Sequence, residues 1–424
     1  MDDKNLKLNP TAIPQGTRTY LFEEAAHKRF LEQAIHSTLR GRGFQEIVTP
    51  QIEYYDSAVI GLTETERNRI IRFTEGDSGR LVALRADITS QIARSAATHL
   101  SGRPLPLRLC YTGSVFRTAR TGKNEQYVLH QYGMEIMGHA GPEADIEIIL
   151  AATSALGAAL PGSFAISLGH AGFIASLLGG LGPELMSAVK RALEKKDKTA
   201  LCLLLDSETD KGVANKIIAL TSLYGGEEVL REAAKLCGDN SMQKAALDNL
   251  TAVYDALKTA RLGENITIDL GDMRGFGYYT GTTMEFFSES GLPIGSGGRY
   301  DNLVKRFGPD LPAVGFAFDL DRMIDALRRQ SRPPTWMASD ILLLDAAEDV
   351  TQKIRDAGLL VTRPFEKMGD DDAVSYAKKM NIPNILRRLS GDSYEHADVE
   401  SGKRKKCGLN DFINERFGKP SKEI

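Results

Sequence analysis

Residues 108–138 most constrain the fold, because they contain two runs of β-forming residues separated by a short polar segment. The first run includes Tyr111 and Phe116, and the second includes Tyr132 and Ile136, with Gly-Lys-Asn at 122–124 between them. This pattern predicts two antiparallel strands joined by a polar turn. Because both runs are strongly apolar, we expect the hairpin to lie inside a sheet and not on a surface.

The same stretch places three polar side chains among apolar neighbours. Arg117, Gln131 and Glu135 alternate with apolar residues, so at the period of a β-strand they would share one face of the sheet. A guanidinium, an amide and a carboxylate on one face could bind an amino acid, the cation holding its carboxylate and the anion its ammonium. They could also form a structural ion-pair network across the hairpin, and these three residues alone favour that interpretation.

The pattern around the hairpin predicts further helices and strands. An amphipathic helix is expected over 20–40, a strand over 44–48 and a hairpin over 70–84. A further helix should begin at Ser90, where Thr89 is placed to cap it and Asp87 could be another carboxylate of the cap region. A helix over 142–159 begins with proline. Strands are expected over 163–168, from 266 and over 312–318, with a helix over 321–328; residues 295–301 (Gly-Ser-Gly-Gly-Arg-Tyr-Asp) read as a glycine-rich turn.

Two parts of the chain differ from this sheet-forming region. Residues 172–263 have helical periodicity throughout and predict a helical insertion between two parts of one sheet domain. Residues 329–338 have the composition of a linker. Beyond it, residues 339–424 alternate strands and helices, which predicts a small α/β domain. The basic run 403–406 in that domain is expected to be a solvated turn, because acids flank it.

Composition excludes several classes of protein. The chain of 424 residues is 42% hydrophobic and 26% charged, with a net charge of −3, so nothing in it favours nucleic acid or an anionic membrane globally. Its four cysteines lack metal-like spacing and suggest reduced thiols. The charged beginning has no signal-peptide core, and no apolar run is long enough to cross a membrane. We therefore expect a cytoplasmic protein.

Separated segments of the sequence together resemble the class II aminoacyl-tRNA synthetases in their histidyl version. Phe116-Arg117 with Gln131 and Glu135 is similar to the second motif of that class. Residues 274–281 (Arg-Gly-Phe-Gly-Tyr-Tyr-Thr-Gly) and 297–301 (Gly-Gly-Arg-Tyr-Asp) resemble the two histidine-recognition segments of histidyl-tRNA synthetase-like proteins. Residues 312–316 with Arg322 resemble the third motif, and Thr49-Pro50 the first.

The resemblance covers residues 14–328 and implies an α+β fold. Its parts would be an antiparallel sheet with flanking helices over 1–328, the helical insertion over about 172–263, and the small C-terminal α/β domain. It also implies a histidine-binding pocket, with no catalytic residue, metal or cofactor of its own. The residues that match the family pocket are Asp87, Thr89, Arg117, Gln131, Glu135, Arg274, Tyr278, Tyr279 and Tyr300.

Four departures from the synthetase pattern all fall on the nucleotide side. Ala119 stands where the enzyme has an acid, and Glu125 and Tyr127 stand where it has basic residues that hold phosphate. Asp319 replaces a glycine that lets the backbone approach adenine closely. In the histidine-recognition segment, Gly277 replaces a residue that is usually acidic in the enzyme.

Residues 85–89 (Arg-Ala-Asp-Ile-Thr) and 319–322 (Asp-Leu-Asp-Arg) are typical of the regulatory subunits of two-component ATP phosphoribosyltransferases. That resemblance implies a chain that has lost aminoacylation. Such a chain dimerises, binds and activates a short catalytic subunit in the first step of histidine biosynthesis, and senses histidine. tRNA is not expected as a partner, because the charge of the C-terminal domain is balanced.

Two other functions remain open at this point. One is an active histidyl-tRNA synthetase, which would have to hold ATP with Arg117 and Arg322 and little further help. The other is a histidine-sensing or translation-control paralogue. A short catalytic phosphoribosyltransferase in the same cell would favour the regulatory subunit.

Overall fold

A computed structural model describes residues 11–14, 16–118, 127–206, 210–329 and 339–417. The chain divides into two compact units, Met1–Thr19 with Lys28–Ser331 and Tyr20–His27 with Arg332–Ile424. The elements up to residue 159 are α1 (Phe22–Gly41), β1 (Gln45–Glu46), β2 (Ile52–Tyr54), α2 (Tyr55–Ala58), α3 (Glu64–Arg67), β3 (Arg72–Thr74), β4 (Leu81–Leu84), α4 (Thr89–Ala97), β5 (Leu107–Phe116), β6 (Val128–Met137) and α5 (Pro142–Ala159).

Between residues 164 and 329, the chain first adds a strand to the sheet, then forms the insertion, and then returns to the sheet. They are β7 (Phe164–His170), α6 (Ala171–Leu178), α7 (Pro183–Glu194), α8 (Lys198–Leu205), α9 (Lys211–Ala219), β8 (Tyr224–Gly225), α10 (Glu228–Cys237), α11 (Ser241–Thr259), β9 (Ile266–Asp269), β10 (Thr282–Ser288), β11 (Pro293–Arg299), β12 (Ala313–Asp319) and α12 (Leu320–Arg329). Short 3-10 turns cover Gly263–Asn265 and Val304–Phe307.

The predicted hairpin is present. Strands β5 and β6 pair antiparallel over their whole length, from Leu107 opposite Met137 to Phe116 opposite Val128. Both arms are largely buried, with Tyr111 and Tyr132 almost fully covered. The predicted turn at 122–124 lies outside the described residues. The hairpin is therefore an interior part of a sheet, as its apolar composition predicts.

In the described part of the chain, nine strands form one sheet in the order β1-β5-β6-β12-β11-β10-β7-β9-β8. Along this order, the successive strands β5, β6, β12, β11, β10 and β7 pair antiparallel with one another. Strand β1 pairs parallel with β5, and β7 pairs parallel with β9. The predicted hairpin of residues 70–84 forms separately, where β4 pairs with β3 and also with β2. Strands β6, β12 and β11 thus lie in the interior of the sheet, where α5 and α12 contact them.

The predicted glycine-rich turn at 295–301 is wrong. Residues up to Arg299 form β11, an interior strand between β10 and β12. A side chain at Gly295 would overlap the ring of Phe316, and one at Gly297 would overlap the backbone of Gly315. These glycines allow two strands to pack closely, and they carry no alternating side chains from which a strand could be predicted.

The insertion lies between β7 and β9 and is mainly helical. It contains α6 to α11, and α11 packs against α5 and α6. The apolar run 201–205 predicts a buried helix segment, and this holds only in part: Leu201 and Leu205 of α8 are buried, whereas Leu203 is 76% exposed. The two-residue strand β8 pairs with β9, so the insertion also adds one strand to the edge of the sheet.

The second unit contains a five-stranded sheet among its described residues, in the order β14-β13-β15-β16-β17. Its elements are β13 (Ile341–Leu344), α13 (Glu348–Asp356), β14 (Val361–Thr362), α14 (Asp370–Lys379), β15 (Asn384–Ser390), β16 (Ser393–Asp398), β17 (Arg404–Gly408) and α15 (Leu409–Phe417). Strand β13 is parallel to β14 and β15, whereas β16 and β17 extend the sheet antiparallel.

The predicted turn at 403–406 is also wrong, because Arg404–Gly408 is the edge strand β17. Arg404 pairs with Asp370 and Glu395, and Lys405 pairs with Glu415. Basic side chains on an edge strand discourage unwanted strand pairing. Of the predicted linker, Arg329 is the last residue of α12, and the other residues, 330–338, lie outside the described residues. Across the described ranges, no helix combines the length and apolarity that a membrane span requires.

A buried ion pair joins α5 to β11. Arg299 Nη2 lies 2.7 Å from Asp145 Oδ2, and its Nε lies 3.1 Å from the same oxygen. The guanidinium also donates to the carbonyl oxygens of His139 and Gly141. Both members of the pair are buried. The pair therefore fixes the end of β11, one residue before Tyr300.

We expect Asp145→Ala to lower the free energy of unfolding by about 3–5 kcal/mol, because it leaves a buried guanidinium without its counter-charge. Urea unfolding followed by circular dichroism measures the change. Asp310→Ala is the matched control, since it removes an exposed pair with Lys305 that contributes about 0–1 kcal/mol. Equal losses in the two variants would contradict a structural role for the buried pair.

Candidate functional site

A cavity of about 580 Å³ lies in the first unit over the middle of the sheet. Strands β6, β11 and β12 contribute to its floor, and residues 61–66 and 272–279 contribute to its walls. All nine predicted pocket residues line it: Asp87, Thr89, Arg117, Gln131, Glu135, Arg274, Tyr278, Tyr279 and Tyr300. The fold thus brings them together, while the identity of their ligand stays a prediction.

Glycine in the neighbouring strand makes room for the carboxylate of Glu135. Glu135 on β6 lies opposite Gly315 on β12, which in turn lies opposite Gly298 on β11. A side chain at Gly315 would overlap the Glu135 carboxylate. The carboxylate therefore lies over bare backbone at the centre of the sheet.

Hydroxyl groups hold the buried carboxylate of Glu135. Thr89 Oγ1 donates to Oε1 at 2.9 Å, and Tyr300 Oη donates to Oε2 at 2.5 Å. Burial raises the pKa of Glu135 to about 8, although the two hydrogen bonds lower it. Near neutral pH the carboxyl group is therefore largely protonated, and an incoming ammonium group would favour its ionised form.

Two residues were predicted to cap the start of α4. The prediction is wrong for Thr89 and correct for the carboxylate of Asp87. Asp87 Oδ2 accepts a hydrogen bond from the backbone N–H of Ser90 at 3.0 Å. The hydroxyl of Thr89 is directed to Glu135 and makes no cap hydrogen bond. Burial raises the pKa of Asp87, while the nearby charge of Arg117 lowers it. One short segment therefore starts a helix and supplies two groups to the cavity.

A glycine-containing turn directs two tyrosines into the cavity. Gly275 and Gly277 have φ angles of +62° and +88°, which favour glycine. A side chain at Gly275 would also overlap the ring of Tyr279. The ring of Tyr278 lies edge-on to Tyr279 and is stacked with Tyr300, with centroid distances of 5.1 and 5.7 Å. The three rings form an aromatic wall of the cavity. An acidic residue at position 277 would be strained, because the backbone there has a positive φ angle.

The two arginines of the cavity differ in their surroundings. Arg274 Nε lies 2.8 Å from both carboxylate oxygens of Asp272, and Arg274 also pairs with Glu285. Arg117 Nε donates to the carbonyl oxygen of Ala86 at 2.9 Å. The charge of Arg274 is therefore balanced by two acids within the protein, whereas the bonds of Arg117 leave its terminal nitrogens available to the cavity.

Three further charged residues line the cavity and were not singled out from the sequence: Glu66, Asp272 and Lys190. Asp272 lies two residues before Arg274, so the sequence places an acid close enough to pair with that arginine. Lys190 comes from the insertion, and no local pattern connects it to the cavity. The described residues contain no group of three or more His, Cys, Asp or Glu residues placed to hold a metal ion.

Comparison with known proteins places this chain in a family. The family model described as histidyl-tRNA synthetase matches residues 16–323. The ATP phosphoribosyltransferase regulatory subunit of Geobacter sulfurreducens is 34% identical over 419 residues, which cover 96% of this chain and 95% of the relative. The chain belongs to the family of ATP phosphoribosyltransferase regulatory subunits. The predicted family is thereby confirmed.

Solved structures are similar to this regulatory-subunit fold. An ATP phosphoribosyltransferase regulatory subunit/histidyl-tRNA synthetase from Bacillus halodurans has a TM-score of 0.78 and 25% identity, covering 91% of this chain and 100% of that one. Histidyl-tRNA synthetase from a Nostoc species has a TM-score of 0.80 and 22% identity, with 97% and 100% covered. The predicted class II synthetase-like α+β fold is confirmed.

The departures from the synthetase pattern can be located in part. Asp319 Oδ1 accepts from the backbone N–H of Arg322 at 3.1 Å, and its Oδ2 lies 3.2 Å from Arg322 Nε. Tyr127 donates its N–H to the carbonyl of Gly16 and accepts the N–H of Arg117. Ala119 and Glu125 lie outside the described residues. In this regulatory-subunit chain, Arg322 is thus already paired with an acid.

Glu135 should make the stability of the ligand-free protein depend on pH. Its folded-state pKa of about 8 lies above the ordinary value of 4.5, so the stability it contributes is present at low pH and is lost as pH rises through that window. We expect Glu135→Gln to remove this loss, so that the variant gains stability relative to wild type between pH 5 and pH 8. Urea unfolding at several pH values measures it; parallel profiles would contradict the assignment.

Proposed function

We propose that the chain is a non-catalytic subunit that binds and activates a short-form ATP phosphoribosyltransferase catalytic subunit in the cytoplasm. The observation that carries the proposal is its likeness, over 96% of its length, to a relative named as the regulatory subunit. The catalytic partner would transfer the phosphoribosyl group to ATP in the first step of histidine biosynthesis. This chain would need no cofactor of its own.

The surroundings of Arg322, on the side where a synthetase would bind its nucleotide, support the proposal that this chain does not aminoacylate tRNA. An arginine that binds phosphate must offer its charge and its N–H groups to the ligand. Arg322 instead pairs with Asp319 through both its backbone and its side chain. Releasing it for a nucleotide would leave the Asp319 carboxylate beside the phosphates, where it would repel them.

The cavity supports a histidine-binding role. Glu135 and Asp87 would hold the ammonium group, and Arg117 with Gln131 would face the carboxylate. Tyr278, Tyr279 and Tyr300 form an aromatic wall against which an imidazole ring would pack. We infer that histidine is an effector of this chain, bound where the synthetase binds its substrate.

The segment over 43–54 supports dimer formation. Val48, Ile52 and Tyr54 are large apolar residues, and they are 83%, 51% and 44% exposed. Apolar groups gathered in one short exposed segment favour a protein interface. We infer that two copies of this chain meet there, which leaves other surfaces for the catalytic subunit.

The second unit supports a function without tRNA. Nucleic acids bind unpaired basic side chains, whose contacts with phosphates release counterions. On the basic strand β17, Arg404 and Lys405 are each paired with acids of the same unit. Two of the four cations of the run 403–406 are therefore already paired within the unit, which reduces the charge this strand can offer to phosphate.

Mixing this chain with a short-form catalytic subunit should raise phosphoribosyl transfer to ATP well above the rate of the catalytic subunit alone. A regulatory subunit acts by shifting the conformational equilibrium of its partner, with a coupling of about 1–3 kcal/mol that is reciprocal for binding. Histidine and the catalytic subunit should therefore change each other's affinity by one common factor. Steady-state rates and size-exclusion chromatography measure both effects.

Separate elution with merely additive activity would contradict this function. The purified chain alone should give only background histidine-dependent ATP–pyrophosphate exchange. Robust exchange would instead show an active histidyl-tRNA synthetase. These two results are independent, so each alternative can fail separately.

Histidine binding should weaken in Glu135→Ala and in Arg274→Ala. Removing buried Glu135 leaves the ammonium group of the ligand unpaired inside the cavity, which costs about 2–5 kcal/mol. Arg274 is partly exposed and paired with Asp272 and Glu285, so its removal should weaken binding less. Titration calorimetry measures the affinities, with Asp310→Ala as a surface control outside the cavity. Unchanged affinity in both cavity variants would place the histidine site elsewhere.

A further inference from the structure

Helix α7 of the insertion runs beside two neighbouring cavities of the first unit. Near its end, Leu193 and Glu194, followed by Lys196, line a second cavity of about 690 Å³. One turn earlier, Lys190 lines the cavity that contains Glu135. Within the described residues of the insertion, only Lys190 lines that cavity. The insertion therefore contributes one cation to a site otherwise built by the sheet and its loops.

The ammonium group of Lys190 rests against an aromatic ring. Its Nζ lies 4.8 Å from the centroid of Phe276, which belongs to the same turn as Tyr278 and Tyr279. In the part of the chain that the structure describes, no carboxylate forms an ion pair with Lys190. Val189 and Leu193, which flank it on α7, are buried and hold the helix in place. Lys190 is thus held at the cavity without an ion-pair partner among the described residues.

The other cations of the cavity are compensated differently. Arg274 is paired with Asp272 and Glu285. Arg117 is close enough to Asp87 for its charge to lower the pKa of that carboxyl group. Lys190 is therefore a second cation of the described cavity, beside Arg117, that can offer its charge to a ligand. A zwitterionic amino acid whose ammonium group is held by Glu135 and Asp87 still needs such a partner for its carboxylate.

We propose that Lys190 is a ligand-binding residue that pairs with the carboxylate of the amino-acid ligand, together with Arg117. The assignment rests on the proposed histidine-binding function and adds a residue to it. When the carboxylate binds, the ammonium group of Lys190 exchanges its contact with the Phe276 ring for an ion pair. Ligand binding then ties α7, and with it the insertion, to the sheet.

The test compares histidine with histidinol, in which a neutral CH₂OH group replaces the carboxylate. Titration calorimetry is carried out on the full chain as wild type, Lys190→Met, Lys190→Arg and the control Lys195→Met. Lys195 is exposed at the end of α7 and lines neither cavity. We expect Lys190→Met to weaken histidine binding roughly tenfold, a change of about 1.4 kcal/mol, and histidinol binding less than twofold. Lys190→Arg should retain most of the affinity, and Lys195→Met should behave as wild type.

Hydrogen exchange of residues 183–194 provides a second measurement that needs no variant. Exchange in α7 should slow when histidine binds to wild type and should slow less with histidinol. Equal slowing by the two compounds, or equal weakening of both by Lys190→Met, would overturn the carboxylate assignment and leave Lys190 as a cover of the cavity. An unchanged affinity for histidine in Lys190→Met would overturn it as well. If wild type binds neither compound, the proposed histidine site itself fails.

Discussion

A buried carboxylate that no cation of the described residues pairs with is the constraint on which this site depends. Glu135 accepts hydrogen bonds from Thr89 and Tyr300, which are neutral donors. Ionisation of a group in that position is unfavourable unless a positive charge enters with it, because burial penalises the charged form. Ionisation of Glu135 therefore requires an entering cation, and on the proposed function the ammonium group of the amino acid supplies it.

The sheet around Glu135 follows from the same constraint. A carboxylate at the centre of an antiparallel sheet needs space over the neighbouring strand, and Gly315 provides space that a side chain would fill, while Gly297 lets β11 and β12 approach closely. Glycine positions in a strand contribute little side-chain packing, so other contacts must fix the position of β11. The buried pair of Arg299 with Asp145 fixes β11 from the far side and thereby also fixes Tyr300, which holds Glu135.

The sequence predicts those parts of the molecule where side chains repeat with the period of the backbone. The hairpin β5–β6 and helix α5 were predictable because apolar residues or a first-turn proline mark them. Strand β11 was not predictable, because glycine leaves no alternation to detect. Strand β17 escaped prediction for a related reason: its basic residues lie on a sheet edge, where neither face needs to be apolar.

The candidate site divides in the same way. Residues within family motifs were found together, and the cavity contains all nine of them. Lys190 was missed because it enters from a helix that no motif covers, and its position depends on how the insertion packs. Thr89 was assigned to the wrong partner, since a hydroxyl before a helix favours a cap until a buried acid competes for it.

The amino-acid side and the nucleotide side of a synthetase-like fold have different physical requirements, and this allows one side to change without the other. Asp319 alters the surroundings of Arg322 through contacts within β12 and α12. None of these contacts involves Glu135, Thr89 or Tyr300. On the proposed function, the binding energy of the amino acid would then stabilise one conformation of the subunit instead of a transition state. For such a change to reach a partner, an element outside the sheet must respond to the ligand, and the insertion is placed to do so because Lys190 lies at the cavity.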